Sequence, residues 1–130
     1  MRVFLVEDSP LVRERLQAML AGIEGARAVG SAATAREAID GIRAEHPDVV
    51  LLDLKLAEGS GLDVLRALRA QDAPAESAAI YVLSNFAEAP YRRLAENLGA
   101  QDFFDKTTEF ERMRDALASR AQGIRSDRVH

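Results

Sequence analysis

Apolar runs of strand length alternate along the chain with segments whose apolar residues recur at helical spacing. The runs occupy residues 3–6, 49–52, 79–83 and 102–105, and a weaker one lies around residues 28–30. A helical segment follows each of them. Because the connections are short, the pattern predicts an α/β fold with an open parallel sheet, right-handed crossovers and helices on both faces.

Helix-capping residues predict where three of the helices begin. Ser9 precedes a proline and can cap the first helix. Thr34 and Glu37 form a capping box before the second helix, and the same spacing recurs before the last helix in Thr108 and Glu111. The run at residues 49–52 is apolar on both faces, which is typical of a central strand covered by helices on either side.

Glycine and proline predict the limits of the third and fourth helices. The third helix is expected to begin after Gly59 and Gly61 and to end near residues 71–74. The fourth is expected to stop at Gly99, because glycine suits the left-handed conformation that follows a helix end. Its apolar residues are Tyr91, Leu94, Ala95 and Leu98.

The composition limits the chain to one ordinary domain of 130 residues, 48% of them hydrophobic. We expect the domain to cover residues 1–122 and residues 123–130 to form a frayed tail. A formal net charge of -4 argues against a chain whose main function is to bind nucleic acid or an anionic membrane. The absence of cysteine excludes disulfides and thiolate metal ligands, and two histidines, His46 and His130, disfavour a zinc site. Neither a secretory signal nor a membrane-spanning run is present, so we expect a cytoplasmic protein.

Polar side chains that could bind a metal or take part in a reaction follow four of the predicted strands. They are Glu7 and Asp8, Asp53, Ser84 and Lys106. In open parallel sheets the working residues collect at the carboxyl ends of the strands, so these side chains are expected to meet. Three carboxylates beside one lysine either raise a carboxylate pKa or attract a cation. Mg²⁺ is the expected cation, because it prefers oxygen ligands and keeps coordination positions open for a phosphate oxygen.

Phosphoryl transfer is the chemistry that this set of residues supports. The Asp53 carboxylate can attack phosphorus as a nucleophile and become an acyl phosphate. Lys106 and Mg²⁺ can stabilise the charge on the transferring oxygens, and the Ser84 hydroxyl can donate a hydrogen bond to the product.

In these residues the chain resembles the receiver domains of bacterial two-component response regulators. The family has an acidic pair after the first strand, an aspartate after the third, a hydroxyl residue after the fourth and a lysine after the fifth. Residues 51–65 resemble its phosphoacceptor stretch and residues 99–106 its fifth-strand stretch. The resemblance covers about residues 2–122. It implies a flavodoxin-like, doubly wound (βα)5 fold with the strand order 2-1-3-4-5.

The resemblance also implies roles for individual residues. Asp53 would accept a phosphoryl group from a histidine kinase or a phosphotransfer protein, with Lys106 and Ser84 assisting. Glu7, Asp8, the Asp53 carboxylate and the Lys55 main-chain carbonyl would hold Mg²⁺. Ser84 and Phe103 would move together as a switch.

The expected output is a protein contact made by the fourth helix, the fifth strand and the fifth helix. No output domain follows the receiver pattern, so the chain is similar to a stand-alone, chemotaxis-type receiver that contacts neither nucleic acid nor membrane directly. It would not be a conventional enzyme, although it would phosphorylate itself from a small phosphodonor with Mg²⁺ and dephosphorylate itself slowly.

Two alternative functions belong to other classes. The first is a degenerate receiver that docks without phosphorylation, which is kept open by Ala57, Asn85 and Thr107, residues that depart from the family's usual choices. The second is a metal-dependent phosphatase with an aspartyl nucleophile. It is disfavoured because residues 53–55 lack a second acidic residue to act as the general acid.

Structural interpretations of the same residues also stand. Glu7 and Asp8 can serve as helix caps, Asp53 as a turn residue and Phe103 as plain core packing. The Arg92 and Arg93 pair predicts a solvated helix face, with a partner contact as the alternative.

Overall fold

A computed structural model describes residues 1–70, 78–85 and 89–129 of the chain. Within them, five strands alternate with five helices. The strands are β1 (Arg2–Val6), β2 (Arg27–Ala32), β3 (Val49–Leu52), β4 (Ala79–Ser84) and β5 (Asp102–Asp105). The helices are α1 (Pro10–Ala21), α2 (Ala35–Glu45), α3 (Gly61–Ala70), α4 (Ala89–Asn97) and α5 (Phe110–Val129). All strand pairs are parallel, in the order β2-β1-β3-β4-β5, which confirms the predicted flavodoxin-like sheet.

The sheet separates the core into two layers, because successive strand residues point to opposite faces. On one face, Phe4 and Val6 of β1 share a buried cluster with residues of α2, α3 and α4. On the other face, Val3 and Leu5 share a cluster with residues of α1 and α5. All four residues of β3 are buried, as expected for the central strand. The edge of the sheet at which the strands end therefore lies between helices from both layers.

Two of the three predicted helix caps are confirmed. The Ser9 hydroxyl accepts a hydrogen bond from the Val12 N–H at 3.3 Å, at the start of α1. The Thr34 hydroxyl accepts one from the Glu37 N–H at 3.2 Å, at the start of α2.

The predicted capping box before α5 is wrong. The helix begins at Phe110, and the Glu109 carbonyl accepts the hydrogen bond from the Met113 N–H, so Glu109 occupies the capping position. The physical reason lies upstream, where the Asp105 carboxylate accepts the N–H groups of Thr107 and Thr108 at 2.7 and 3.1 Å. This turn uses the Thr108 N–H before the helix begins.

The other predictions for α4 and α5 agree with the structure except in two respects, the burial of Tyr91 and the extent of α5. Helix α4 ends before Gly99, whose φ of 93° is in the left-handed region as predicted. Tyr91, however, is 41% exposed, so α4 does not bury it as it buries Ala95. The predicted end of the third helix, at residues 71–74, lies outside the described residues. Helix α5 runs to Val129, so residues 123–129 are helical where the sequence predicts a frayed tail.

Candidate functional site

The strand ends bring the predicted site residues to one edge of the sheet, and backbone hydrogen bonds extend the sheet just past the strands. The Glu7 N–H donates to the Ala32 carbonyl at 2.9 Å, and the Asp53 N–H donates to the Val6 carbonyl at 3.0 Å. The Lys106 N–H donates to the carbonyl of Ser84 at 3.1 Å. These bonds fix the backbone from which Glu7, Asp53 and Lys106 project.

Lys106 forms two short ion pairs across this edge. Its Nζ lies 2.6 Å from Oε1 of Glu7 and 2.7 Å from Oδ2 of Asp53. The side chains of Lys106, Glu7 and Asp53 are only 14%, 2% and 6% exposed. One ammonium group is shared between two carboxylates. Because burial weakens the screening of charge by water, its attraction to each carboxylate is strong.

The pKa values of the pair reflect this sharing. Burial raises the pKa of Glu7, while the close contact with the Lys106 ammonium and the hydrogen bond from the Ser9 N–H oppose the rise, and the Asp53 charge adds to it. Burial alone would lower the pKa of Lys106, but its bonds to Asp53 and Glu7 outweigh burial and the pKa rises. Lys106 therefore stays protonated, whereas Glu7 lacks enough positive charge around it.

A second observation concerns the surroundings of Glu7. Its buried Oε1 pairs with Lys106 Nζ at 2.6 Å, and no other described group donates a hydrogen bond to it. Carboxylate oxygens of Glu7, Asp8 and Asp53 all lie within 4.8 Å of one another. Three clustered carboxylates that share the Lys106 ammonium fit a divalent cation that prefers hard oxygen ligands.

We call the depression around these residues the acidic cleft. Its lining consists of Glu7, Asp8, Ser9, Val12, Arg15, Asp53, Lys55, Asn85, Lys106 and Thr107. The Lys55 N–H donates to Oδ1 of Asp53 at 3.3 Å, which holds residue 55 beside the carboxylate while its side chain is exposed. The cleft is open to solvent.

The residues that depart from the family's usual choices lie in two places. Asn85 and Thr107 are exposed and line the acidic cleft. Ala57 instead donates its N–H to the Ala33 carbonyl at 3.1 Å. Proline has no N–H and could not make this bond. The loop after Asp53 is therefore tied to the segment before α2.

Ser84 and Phe103 are both buried in the structure. Ser84 ends β4 with no exposed surface, and Phe103 is 1% exposed within the cluster that also holds Val82 and Ala95. The resemblance implies that Phe103 moves with Ser84 as a switch, its ring turning inward after phosphorylation. In the structure the ring occupies the interior.

Sequence patterns did not reveal the contact between two residues near the site, Arg92 and Glu109. Arg92 donates to the Phe103 carbonyl at 2.9 Å and to Oε1 of Glu109 at 2.6 Å, and its side chain is only 31% exposed. Arg92 is therefore only partly exposed and pairs within the chain, whereas Arg93 is exposed as the solvated-face prediction expects. Sequence spacing contains no sign of the Arg92 and Glu109 pair, because 17 positions separate them.

Comparison with known proteins identifies similar sequences and folds. A sequence profile described as the response regulator receiver domain matches residues 3–118. The transcriptional regulatory protein MalR from Bacillus subtilis (strain 168) is 34% identical over 116 residues, which are 89% of this chain and 48% of MalR. The chain spans about half the length of MalR and of several other curated relatives that it matches.

Solved structures match over nearly their whole length. The two-component response regulator of the LuxR family from Aurantimonas sp. SI85-9A1 has a TM-score of 0.79 and 28% identity, covering 99% of this chain and 98% of that one. The BeF3-activated N-terminal receiver domain of RstA from Klebsiella pneumoniae has a TM-score of 0.79 and 27% identity, covering 93% and 98%.

Proposed function

Since the chain belongs to the response regulator receiver domain family, we propose that Asp53 is its phosphoacceptor, loaded by a histidine kinase or a phosphotransfer protein. Receiver domains are signalling modules of two-component systems and not conventional enzymes. The observation that carries the proposal is the buried contact of Lys106 with both Asp53 and Glu7 at the edge of the acidic cleft.

In the proposed reaction an Asp53 carboxylate oxygen forms a bond to phosphorus while the bond from phosphorus to the donor's histidine nitrogen breaks. The nitrogen keeps the electron pair, and Asp53 becomes an acyl phosphate. Lys106 Nζ, 2.7 Å from Oδ2 of Asp53, is close enough to pair with an oxygen of the transferring group. The Ser84 hydroxyl is proposed to donate to the bound phosphoryl group.

Receiver domains bind Mg²⁺ at an acidic pocket. We propose that Glu7, Asp8 and Asp53, with the Lys55 carbonyl, hold the ion in this chain. Bound Mg²⁺ supplies positive charge to the carboxylates and to the phosphoryl oxygens. The close spacing of the three carboxylates and the burial of Glu7 and Asp53 support this assignment.

The output is proposed to pass through the face formed by α4, β5 and α5, with Ser84 and Phe103 as the switch, through protein contact and not through direct contact with nucleic acid. We also propose a cytoplasmic location, self-phosphorylation from small phosphodonors and slow self-dephosphorylation. In the structure, no described helix is both long enough and apolar enough to cross a membrane. Action as a stand-alone, chemotaxis-type regulator remains a prediction, since MalR has about twice this length. Docking without phosphorylation is disfavoured by the intact acceptor set.

Intact-mass measurement with acetyl phosphate and Mg²⁺ tests the proposal. The chain is expected to gain one phosphoryl group, and Asp53→Asn or added EDTA is expected to prevent the gain. Asp40→Asn is the matched control, because Asp40 is exposed in α2 and pairs with Arg36 at 3.2 Å, away from the cleft. A mass gain that persists in Asp53→Asn, or no gain in the unchanged chain, would contradict the proposal.

A further inference from the structure

Arg92 joins α4 to β5 and to the residue before α5 through three contacts. It donates to the Phe103 carbonyl at 2.9 Å and to the Glu109 carboxylate at 2.6 Å. Its guanidinium carbon also lies 5.0 Å from the centroid of the Phe103 ring, within the range of a cation–π contact. Arg92 therefore holds both the backbone and the ring of Phe103.

Glu109 anchors the other side of this contact. Its Oε1 also accepts the Asp105 N–H at 2.9 Å, and its Oε2 accepts Arg112 at 2.6 Å. These donors hold Glu109 as a carboxylate, which gives Arg92 a fixed anionic partner. Arg112 lies 3.8 Å from Asp102 as well. We call Arg92, Asp102, Glu109 and Arg112 the Arg92 network.

The Arg92 network lies beside the residue that reaches Asp53. The Asp105 N–H is bonded to Glu109, and the next residue, Lys106, pairs with Asp53 and Glu7. The end of β5 is therefore held from one direction by Arg92 and Glu109 and from the other by the acidic cleft. A change in either set of contacts acts on the same short segment of backbone.

We propose that Arg92 is a positioning residue that holds the Phe103 ring in its buried position before any phosphoryl group arrives. The inference rests on the proposed function, because it concerns the switch role given there to Phe103. Its basis is that the ring is 1% exposed, in the cluster that holds Ala95 of α4, and that Arg92 contacts both the ring and the carbonyl of Phe103. The α4–β5–α5 face then already has the Phe103 ring in its buried position, so phosphorylation needs to move the ring less.

Fluorine NMR tests the position of the ring directly. The chain contains five phenylalanines, so 4-fluorophenylalanine labelling gives five signals, and Phe103→Leu assigns one of them. In the unmodified chain the Phe103 signal is expected to show no H2O/D2O isotope shift. In Arg92→Ala it is expected to gain one, because the ring loses its cover. Arg93→Ala, which removes the same charge from the next and exposed position, is expected to behave like the unchanged chain.

Two further variants separate positioning from loss of folding. Arg92→Lys keeps the charge but not the planar fork, so an isotope shift between those of the unchanged chain and Arg92→Ala is expected. Glu109→Gln removes the anionic partner and is expected to expose the ring in the same direction. Because these variants change the network more gently, they test the ring even where Arg92→Ala fails to fold. The inference is overturned if the Phe103 signal shows no isotope shift in any folded variant.

A second NMR experiment adds beryllium fluoride and Mg²⁺ to the same labelled variants. Beryllium fluoride is expected to move the Phe103 signal further in Arg92→Ala than in the unchanged chain or Arg93→Ala, because the exposed ring starts further from its buried position. Equal movement in all three would overturn the inference. A complete lack of response in the unchanged chain would instead contradict the proposed function, while the isotope shift in the unmodified variants still decides the role of Arg92.

Discussion

Glu7 in the acidic cleft and Glu109 in the Arg92 network are the same residue type, and their pKa values move in opposite directions. Burial raises the pKa of Glu7. Hydrogen bonds from the Asp105 N–H, which has the larger effect, and from Arg92 lower the pKa of Glu109 to about 2. Glu7 is almost fully buried and shares the Lys106 ammonium with Asp53, whereas both oxygens of Glu109 accept hydrogen bonds.

The difference separates a site with an excess of negative charge from one whose charges are balanced. The cleft gathers three carboxylates around one buried lysine, while the Arg92 network contains two arginines and two acids. Arg15 and Lys55 also line the cleft, but both are exposed and screened by water. A ligand of positive charge is therefore expected in the cleft, and a structural role is expected for the network.

Removing the cleft's buried cation is expected to have the largest effect on stability. Lys106→Ala leaves Glu7 and Asp53 buried without their partner, which is expected to cost about 3 kcal/mol of unfolding free energy without Mg²⁺. Added Mg²⁺ is expected to restore more stability to this variant than to the unchanged chain, because the cleft has become more negative. Urea denaturation with and without Mg²⁺ measures both effects.

Lys55→Ala is the control for this experiment. Lys55 lines the same cleft with an exposed side chain, so a change within about 0.5 kcal/mol is expected. Equal losses in the two lysine variants would show that the burial of Lys106 does not set the energetics of the cleft, and the contrast between the two regions would lose its basis.

These two regions also differ in how far the sequence predicts them. Glu7, Asp53 and Lys106 could be found because each follows a strand, and parallel strands deliver their carboxyl ends to one edge whatever the side-chain details. The strand pattern likewise predicts the sheet, since the burial of Val49–Leu52 on both faces requires helices on either side.

The Arg92 network could not be found in this way. Whether Arg92 of α4 meets Glu109 depends on the rotation of α4 about its axis and on the turn before α5, and neither is encoded in apolar spacing. The same turn explains the misplaced cap, because Asp105 captures the N–H groups of Thr107 and Thr108. Competing local hydrogen bonds of this kind are invisible to a spacing rule.

A glycine supports the geometry of the cleft and supplies an intermediate effect. Gly61 donates its N–H to the Leu54 carbonyl at 2.8 Å, and a Cβ at this position would lie 2.2 Å from the Asp53 carbonyl oxygen. Gly61→Ala must therefore displace the backbone of Asp53, at a cost of about 2 kcal/mol. Slower uptake of phosphoryl from acetyl phosphate is expected alongside the loss of stability.

Gly123→Ala is the matched substitution for this test. Gly123 lies in α5, and a Cβ added there would have no atom of the described residues within 4 Å outside its own stretch of helix. Alanine is therefore expected to stabilise the chain by about 0.5–1 kcal/mol through helix propensity. Phosphoryl uptake is expected to stay unchanged. If Gly61→Ala had the same stability and the same rate of phosphoryl uptake as Gly123→Ala, the close approach of Gly61 to Asp53 would have no role in the cleft.

The smallest expected effect belongs to the Arg92 network and depends on pH. The ordinary pKa of Glu109, 4.5, is lowered to about 2 in the folded chain, so the ionised side chain stabilises the fold fully above pH 4.5. Its contribution declines as the pH falls from 4.5 towards about 2, where the folded chain takes up the proton. Because the pair with Arg92 is partly exposed, Glu109→Gln is expected to cost only about 1 kcal/mol at pH 7.

Urea denaturation of Glu109→Gln and the unchanged chain from pH 7 down to pH 3 measures this dependence. The difference in unfolding free energy is expected to stay constant above about pH 5 and to shrink below it, because only the unchanged chain can lose the charge. Glu96→Gln, at an exposed position in α4, controls for the change in net charge. A difference that does not vary with pH would mean that Glu109 stabilises the turn by shape and neutral hydrogen bonding. In that case the balance of charge would no longer distinguish the Arg92 network from the cleft.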